Sequence, residues 1–489
     1  MKVQNPQSSL PRSVSDSSSP PTTKALPPQR GNQLVSPKPD AFDSKGGTQS
    51  RPALLTGEVH GAAPSLPPGT GPISPKDIPA ADWTMFVNLN ADNNLESFGK
   101  ADLNEMEAGG GSIAGKLNMI ALVDGGSLKD PVNNWNTGTR LMYVTKDPNN
   151  SSKVVSREIQ VDPSSDLGKL LAKGNGELDT GSPEVLRAAL DYVQKNTQSK
   201  HYMVDLWDHG NDWRGVSYDD HPNSDLDMND LKKALSGLPQ KIDILSADAC
   251  LMATVEVADT AKAAGSDFLV GSEEVEPGTG WNYTELLGRV SKLFDANGTI
   301  SAEQMAKAIQ DSYSVGPKDN VTMSVTDLSK LDGLNTKLND FSDALVKAGG
   351  LQDKTLRSAY DKALRFDDAD QMDLGDFAKR VAAGTTNASL KTAANALLAE
   401  LVKTTTEKGV GISSTAGKNV DSRGHAIPDP GSRDIVVKAK ASNPYAASTG
   451  LTVYAPRGSV DADYKKAGST WLDSHWNNVI KTYSSTPRS

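Results

Sequence analysis

Two residues of this chain have the types and the setting for nucleophilic chemistry. Cys250 is the only cysteine, and it closes the run Ala247-Asp248-Ala249-Cys250 behind the apolar stretch KIDILS at 241–246. His209 sits in Asp208-His209-Gly210, directly behind HYMVDLW at 201–207. A free thiol ionises near pH 8.5, so little thiolate exists at neutral pH. An imidazole beside it takes the proton or holds the thiolate as an ion pair. The spacing of LMATVEVADTAKAA predicts a helix over 251–264 that starts at the thiol. A helix N-terminus would lower the thiol pKa further and offer N–H groups to an oxyanion. Gly210 leaves main chain open where a side chain would block a substrate carbonyl. Taken singly, a lone cysteine is most often an inert small hydrophobe, and a histidine after a strand a turn residue. Their pairing at strand ends, flanked by Asp208 and Asp248, is what raises the functional reading.

That pairing needs elements to carry it. Apolar runs of strand length fall at 83–89, 117–123, 140–145, 201–207, 241–246 and 267–271. Helical spacing falls between them, at 95–108, 167–173, 183–196, 227–235 and 251–264. Continuous apolar strands alternating with helices predict an α/β fold, a mostly parallel sheet with helices on both faces. Ligands of such sheets bind beyond the carboxyl ends of the strands. If the strands ending at 207, 246 and 271 are parallel neighbours, His209, Cys250 and the acidic run Glu273-Glu274-Val275-Glu276 share one rim. A further strand is expected at 321–325, helices from 327 to 407, late strands at 409–413, 434–437 and 451–454, and a closing helix at 462–483.

Composition removes several alternatives. The chain has 489 residues and a formal net charge of −10, against the basic excess of a nucleic-acid binder. One thiol makes no internal disulfide and no cysteine-based zinc site. No stretch approaches 18 apolar residues, so no membrane span is expected. Residues 1–79 hold 15 of the 28 prolines and few aromatics, a composition that predicts a disordered tail, either a leader or pro-segment or a plain tether. No apolar h-region follows Lys2, which argues against a Sec signal and for a bacterial protein that is cytoplasmic or exported by another route. The expected organisation is therefore a tail at 1–79, an α/β core at 80–326, a helical segment at 327–407 and a completing C-terminal part at 408–489.

Other candidate sites are thin. Asp205, Asp208 and His209 could suggest a metal, but Asp205 lies inside a strand. Asp225 to Asp230 starts like a calcium loop yet lacks Gly at the sixth position and Glu at the twelfth, so Asp227 reads as a helix cap. The Gly-rich stretches 109–111 and 278–280 lack the ending of a phosphate loop.

With these motifs the sequence resembles the clostripain family of cysteine peptidases, which share a caspase-like fold. The carrying segments are WTMFVNLNADNNLE at 83–96, VDLWDHGNDWRG at 204–215, ILSADACLMATVEVA at 244–258, GSEEVEPGTGW at 271–281 and GLTVYAP at 450–456. The resemblance covers about residues 82–483. It implies His209 as general base and acid, Cys250 as nucleophile, and the N–H groups of Gly210 and Cys250 as oxyanion hole. It implies Asp248 as the acid that receives a basic P1 side chain, and thus protein or peptide substrates cut after Arg or Lys. Relatives often carry a second acid in the PG-x-GW loop. Here Thr279 takes that position, so the second acid is Glu274, Glu276 or missing, with Glu274 taken as the substrate-binding residue. Relatives can self-cleave between the His and Cys segments, where this chain offers only Arg214, Lys232, Lys233 and Lys241; Arg30, Arg51 and Lys76 in the tail are the competing sites. Some relatives need calcium. Asp219, Asp220, Asp225 and Asp227 are the candidate holders of such an ion, although a solvated loop is the preferred reading. The protein is read as a monomer. The rivals are a non-catalytic interaction platform and a metal hydrolase centred on His209.

Overall fold

The apolar run at 83–89 lies within β1 (Ala81–Ala91), and every residue of that strand is buried. Its neighbour β2 (Leu117–Gly125) is buried throughout as well. Strands this apolar must be covered on both faces. The remaining strands are β3 (Gly138–Tyr143), β4 (Arg157–Glu158), β5 (Ser199–Trp207), β6 (Val216–Asp219), β7 (Ser224–Leu226), β8 (Ile244–Asp248), β9 (Phe268–Gly271), β10 (Thr322–Asp327), β11 (Gln371–Asp373), β12 (Val436–Ala441) and β13 (Thr452–Tyr454). The computed structural model describes residues 71–313, 321–401, 436–441, 447–464, 466–467 and 474–484. Residues 1–70, 402–407 and the expected strand at 409–413 lie outside them.

Nine strands form the main sheet, in the order β12-β10-β9-β8-β5-β1-β2-β3-β4. The inner five, β9, β8, β5, β1 and β2, run parallel to one another. The flanking strands β3, β4, β10 and β12 are antiparallel. The sheet is therefore mostly parallel at its centre, as the alternation of strands and helices predicts.

Side-chain alternation along the strands divides the core in two. Phe86, Val204 and Leu245 join one apolar cluster with α3 (Pro183–Asn196), α4 (Met228–Leu235) and α5 (Val255–Ala263). Met85, Val87, Met203 and Ile244 join the other with α1 (Glu96–Ala108), α6 (Tyr283–Asn297) and α7 (Ala302–Ser312). Each such side chain contributes roughly 1.5–3 kcal/mol by leaving water. The short α2 (Asp166–Lys173) completes the first face beside α3. So do α8 (Leu331–Lys347), α9 (Lys354–Lys362), α10 (Leu374–Gly384), α11 (Ala388–Leu401) and α12 (Trp476–Ser484), which enlarge the first cluster.

Four sequence expectations need correction. Residues 71–79 are not part of a disordered tail. Ile73 and Ile78 are buried, and Ile73 exchanges backbone hydrogen bonds with Glu158 (2.8 Å) and Gln160 (2.8 Å), so two isoleucines anchor this stretch beside β4. The 327–407 segment is interrupted by β11, which pairs antiparallel with β13. All described residues fall within one compact unit, so this segment is packed into the core rather than set apart. The closing helix begins at Trp476, since 462–464 form a turn.

The fourth correction bears on chemistry. No helix starts at Cys250. Leu251 has a positive φ of 65°, and α5 starts only at Val255, capped by Thr254, whose hydroxyl accepts from the Val257 N–H (3.1 Å). Residues 251–253 are held out of the helix by the next loop: Leu251 N–H donates to the Glu274 carbonyl (3.3 Å) and Ala253 N–H to the Ser272 carbonyl (2.8 Å).

Candidate active site

Strands β5 and β8 are adjacent and parallel, and their register sets Trp207 opposite Asp248. The Asp208 N–H then reaches the Asp248 carbonyl at 3.3 Å. With the two strands ending level, His209 and Cys250 emerge from the same rim. Both line one pocket, together with Trp207, Asp248, Glu276 and Gly280.

Cys250 is partly exposed, and its Sγ accepts a hydrogen bond from the Glu276 N–H (3.2 Å). Burial, and to a lesser degree the carboxyls of Glu276, Glu274 and Asp248, push the thiol up to about 12. Burial pushes His209 down to about 4, and its Nε2 lies 2.7 Å from Asn94 Oδ1. Both shifts favour the uncharged forms, so the resting pair is a thiol and a neutral imidazole. The expected lowering of the thiol pKa by a helix N-terminus is absent because α5 begins four residues too late.

Gly210 is required by space. A Cβ there would stand 2.3 Å from the Cys250 carbonyl oxygen and 3.1 Å from both Ala249 Cβ and Met252 Cγ. The segments that carry His209 and Cys250 touch at this residue.

Asp248 is buried at the floor of the pocket. Its Oδ2 accepts from the Tyr283 hydroxyl (2.9 Å) and the Trp281 N–H (3.2 Å). The same hydroxyl lies 3.0 Å from Asp205 Oδ2. Burial, then the charge of Asp205, pushes Asp248 up to about 8. Glu276 lays its carboxyl against that of Asp248, and burial followed by the Asp248 charge drives it well above the carboxylate range. Two buried carboxyls in contact cannot both ionise cheaply, whereas a cation between them would let both do so. Gly280, with a φ of 50°, folds the 277–281 loop over Asp248; a Cβ there would sit 2.8 Å from Asp248 Oδ1.

The structure does not bring Glu274 into this pocket. Its Oε1 accepts from its neighbour Val275 N–H (2.8 Å) and from Asp367 N–H (3.0 Å), which ties the loop to the helical segment. Glu276 is the acid that faces Asp248. Asn94 and Tyr283 are contributors that the sequence reading passed over, and Asp205 was weighed there only as a metal ligand. The signal for Asn94 was its place in ADNN, immediately after a buried strand.

Other candidates are committed elsewhere. Arg214 bridges Asp212 and Asp368 (2.6 Å to the latter) and lies on the Trp213 ring at 4.6 Å. Lys232 and Lys233 belong to α4, and Lys241 pairs with Asp267. Asp219 is buried and accepts from the Thr180 N–H (2.7 Å), Asp220 is exposed, and Asp227 caps α4 by accepting from the Asp230 N–H (3.0 Å). Among the described residues no group of three or more His, Cys, Asp or Glu side chains is arranged to hold a metal ion. No described helix is long and apolar enough to cross a membrane.

Comparison with known proteins agrees with this geometry. Clostripain of Hathewaya histolytica is 28% identical over 230 residues, which is 42% of this chain and 42% of that protein's length. A secreted cysteine protease of Bacteroides thetaiotaomicron, solved with an irreversible peptide inhibitor, shares the fold with a TM-score of 0.53 and 20% identity, covering 82% of this chain and 99% of that one. An inactive zymogen protease of Parabacteroides distasonis shares it with a TM-score of 0.52 and 17% identity, covering 82% and 98%. The sequence profile of the clostripain family matches residues 87–439, most of the chain. With the caspase-like sheet and the level ends of β5 and β8 beside that match, the chain belongs to the clostripain family of cysteine peptidases.

Proposed function

We propose that the protein is a cysteine endopeptidase that cleaves after Arg or Lys through a His209–Cys250 dyad. The observation that carries this reading is the contact between the buried carboxyls of Asp248 and Glu276 in the pocket that His209 and Cys250 also line. A guanidinium or ammonium group entering there replaces the shared proton and meets two carboxylates.

Chemistry then proceeds from neutral partners. His209 takes the Cys250 proton as the sulfur attacks the scissile carbonyl carbon. The oxyanion is held by the N–H groups of Gly210 and Cys250. The tetrahedral adduct collapses, the C–N bond breaks, and the imidazolium gives its proton to the leaving amine. A thioester on Cys250 remains. Water, deprotonated by His209, attacks that carbonyl and releases the acid, which restores the thiol. No step needs a metal.

The test is cleavage of fluorogenic peptides with Arg, Lys or Leu at P1, by the full chain and by Cys250→Ala. Turnover of the basic peptides that Cys250→Ala abolishes supports the reading; turnover retained in that variant sinks it. A non-catalytic platform is the second reading, and the high thiol pKa favours it. That reading predicts no turnover of any of the three peptides.

A further inference from the structure

We propose that Asn94 is a positioning residue for His209, its side-chain oxygen fixing the imidazole so that Nδ1 is the nitrogen that exchanges protons with Cys250 and the leaving group. This rests on the peptidase reading above. Asn94 Oδ1 lies 2.7 Å from His209 Nε2. An amide oxygen only accepts, so Nε2 must carry the proton, and the lone pair is left on Nδ1. Which ring nitrogen is basic is set by the hydrogen bond the other one makes.

The turn that presents Asn94 is itself pinned. Asn93 Nδ2 donates to Asp208 Oδ1 (2.8 Å) and to the Tyr218 carbonyl (2.8 Å), while Asn93 Oδ1 accepts from the Leu95 N–H (2.8 Å). Leu95 is buried, and α1 begins at the next residue. Strand β1 pairs in parallel with β5, with Leu89 opposite Trp207. Three adjacent strands thus deliver Asn94, His209 and Cys250 in spatial order. Asn94 is exposed, so replacing it removes the hydrogen bond without opening the core.

The partner being an amide matters. The titratable groups around the ring are Asp208, whose Oδ1 is turned to Asn93, and, across the pocket, Cys250, Asp248 and Glu276. The hydrogen-bond partner of Nε2 is an amide oxygen rather than a carboxylate. A carboxylate at position 94 would stabilise the imidazolium, whereas the amide orients the ring and leaves it uncharged.

The experiment compares the full chain with Asn94→Ala and Asn94→Asp on one Arg peptide across pH. Asn94→Ala should lower kcat roughly 10- to 100-fold with KM within about two-fold, since it disturbs proton transfer and not ground-state binding. Asn94→Asp should restore orientation and move the acid limb of kcat, which reports the substrate-bound enzyme, upward by about one pH unit. Unchanged kcat in Asn94→Ala, or an unmoved limb in Asn94→Asp, overturns the proposal. An inactive parent protein would instead strike the peptidase reading. Nitrogen-15 spectra of the histidines then decide: a His209 Nε2–H tautomer that Asn94→Ala scrambles supports the bond, and an Nδ1–H tautomer in the parent overturns it.

Discussion

A side-chain carbon on Gly210 would stand 2.3 Å from the carbonyl oxygen of Cys250. That oxygen is main chain, and it cannot turn aside. Gly210→Ala should therefore push the His209 and Cys250 segments apart. Displacements of about 1 Å cost roughly 100-fold in rate when reacting groups must be aligned. The expected result is a loss of that size in kcat/KM with a far-UV spectrum like that of the parent.

Asp248 and Glu276 share one buried site, and under the proposed function that pair selects substrates by charge. Asp248→Asn should lower kcat/KM for an Arg peptide by roughly 100-fold or more, the usual consequence of removing one partner from a desolvated charge pair. Turnover of a Leu peptide should change little. Selectivity for Arg that survives intact in both Asp248→Asn and Glu276→Gln would show that the cation binds elsewhere. The sign with pH is also fixed. Burial holds Asp248 up at about 8, and only its ionised form attracts a cation. KM for Arg peptides should fall as pH rises towards 8, while KM for Leu peptides stays flat.

Cys250 in the resting protein should alkylate reluctantly. With the thiol held up to about 12, the thiolate fraction grows about tenfold per pH unit across the ordinary range. Iodoacetamide rates should climb from pH 7 to pH 10 without a plateau. A plateau near pH 8.5 or below would contradict the environment described for the thiol.

Glu273 and Asp373 form a second buried acid pair, away from the pocket. The Gly450 N–H donates to Glu273 Oε2 (3.0 Å), and the Thr449 hydroxyl donates to Asp373 Oδ1 (2.8 Å). Burial, then the Asp373 charge, pushes Glu273 well above the carboxylate range. A raised folded-state pKa means the folded protein holds a proton that the unfolded chain releases. Its stabilising effect is complete below the unfolded value and fades as pH rises towards the folded one. Glu273→Gln keeps the neutral form at every pH. The parent's Tm should drop between pH 5 and pH 9, and the variant should drop less steeply, because the raised carboxyls of Asp248 and Glu276 keep their share of the slope.

The sequence made the strand ends legible because apolar runs of five to seven residues stop abruptly at polar ones. Asp208-His209-Gly210 and Asp248-Ala249-Cys250 followed such stops, and the parallel register of β5 and β8 brings them level. What lay beyond reach depended on long-range contacts. The helix expected at 251 is delayed to Val255 because the 272–274 loop captures the N–H groups of Leu251 and Ala253. Periodicity alone does not reveal that competition. Glu274 and Glu276 differ by two residues, so they look alike in sequence; only the loop path sends one to the Asp367 N–H and the other to Asp248. The one mark of Asn94 was its place in ADNN behind a buried strand, and an amide there is also ordinary turn chemistry.

The Trp207–Asp248 register has a consequence for tolerance. His209 and Cys250 each stand two residues beyond that matched pair, on chains fastened by main-chain hydrogen bonds. The error in their separation is thus the error of a ladder rung, fractions of an ångström, whatever side chains surround them. Drift in the outer helices can retune rate and substrate choice, but the span between the two groups is inherited from the backbone itself.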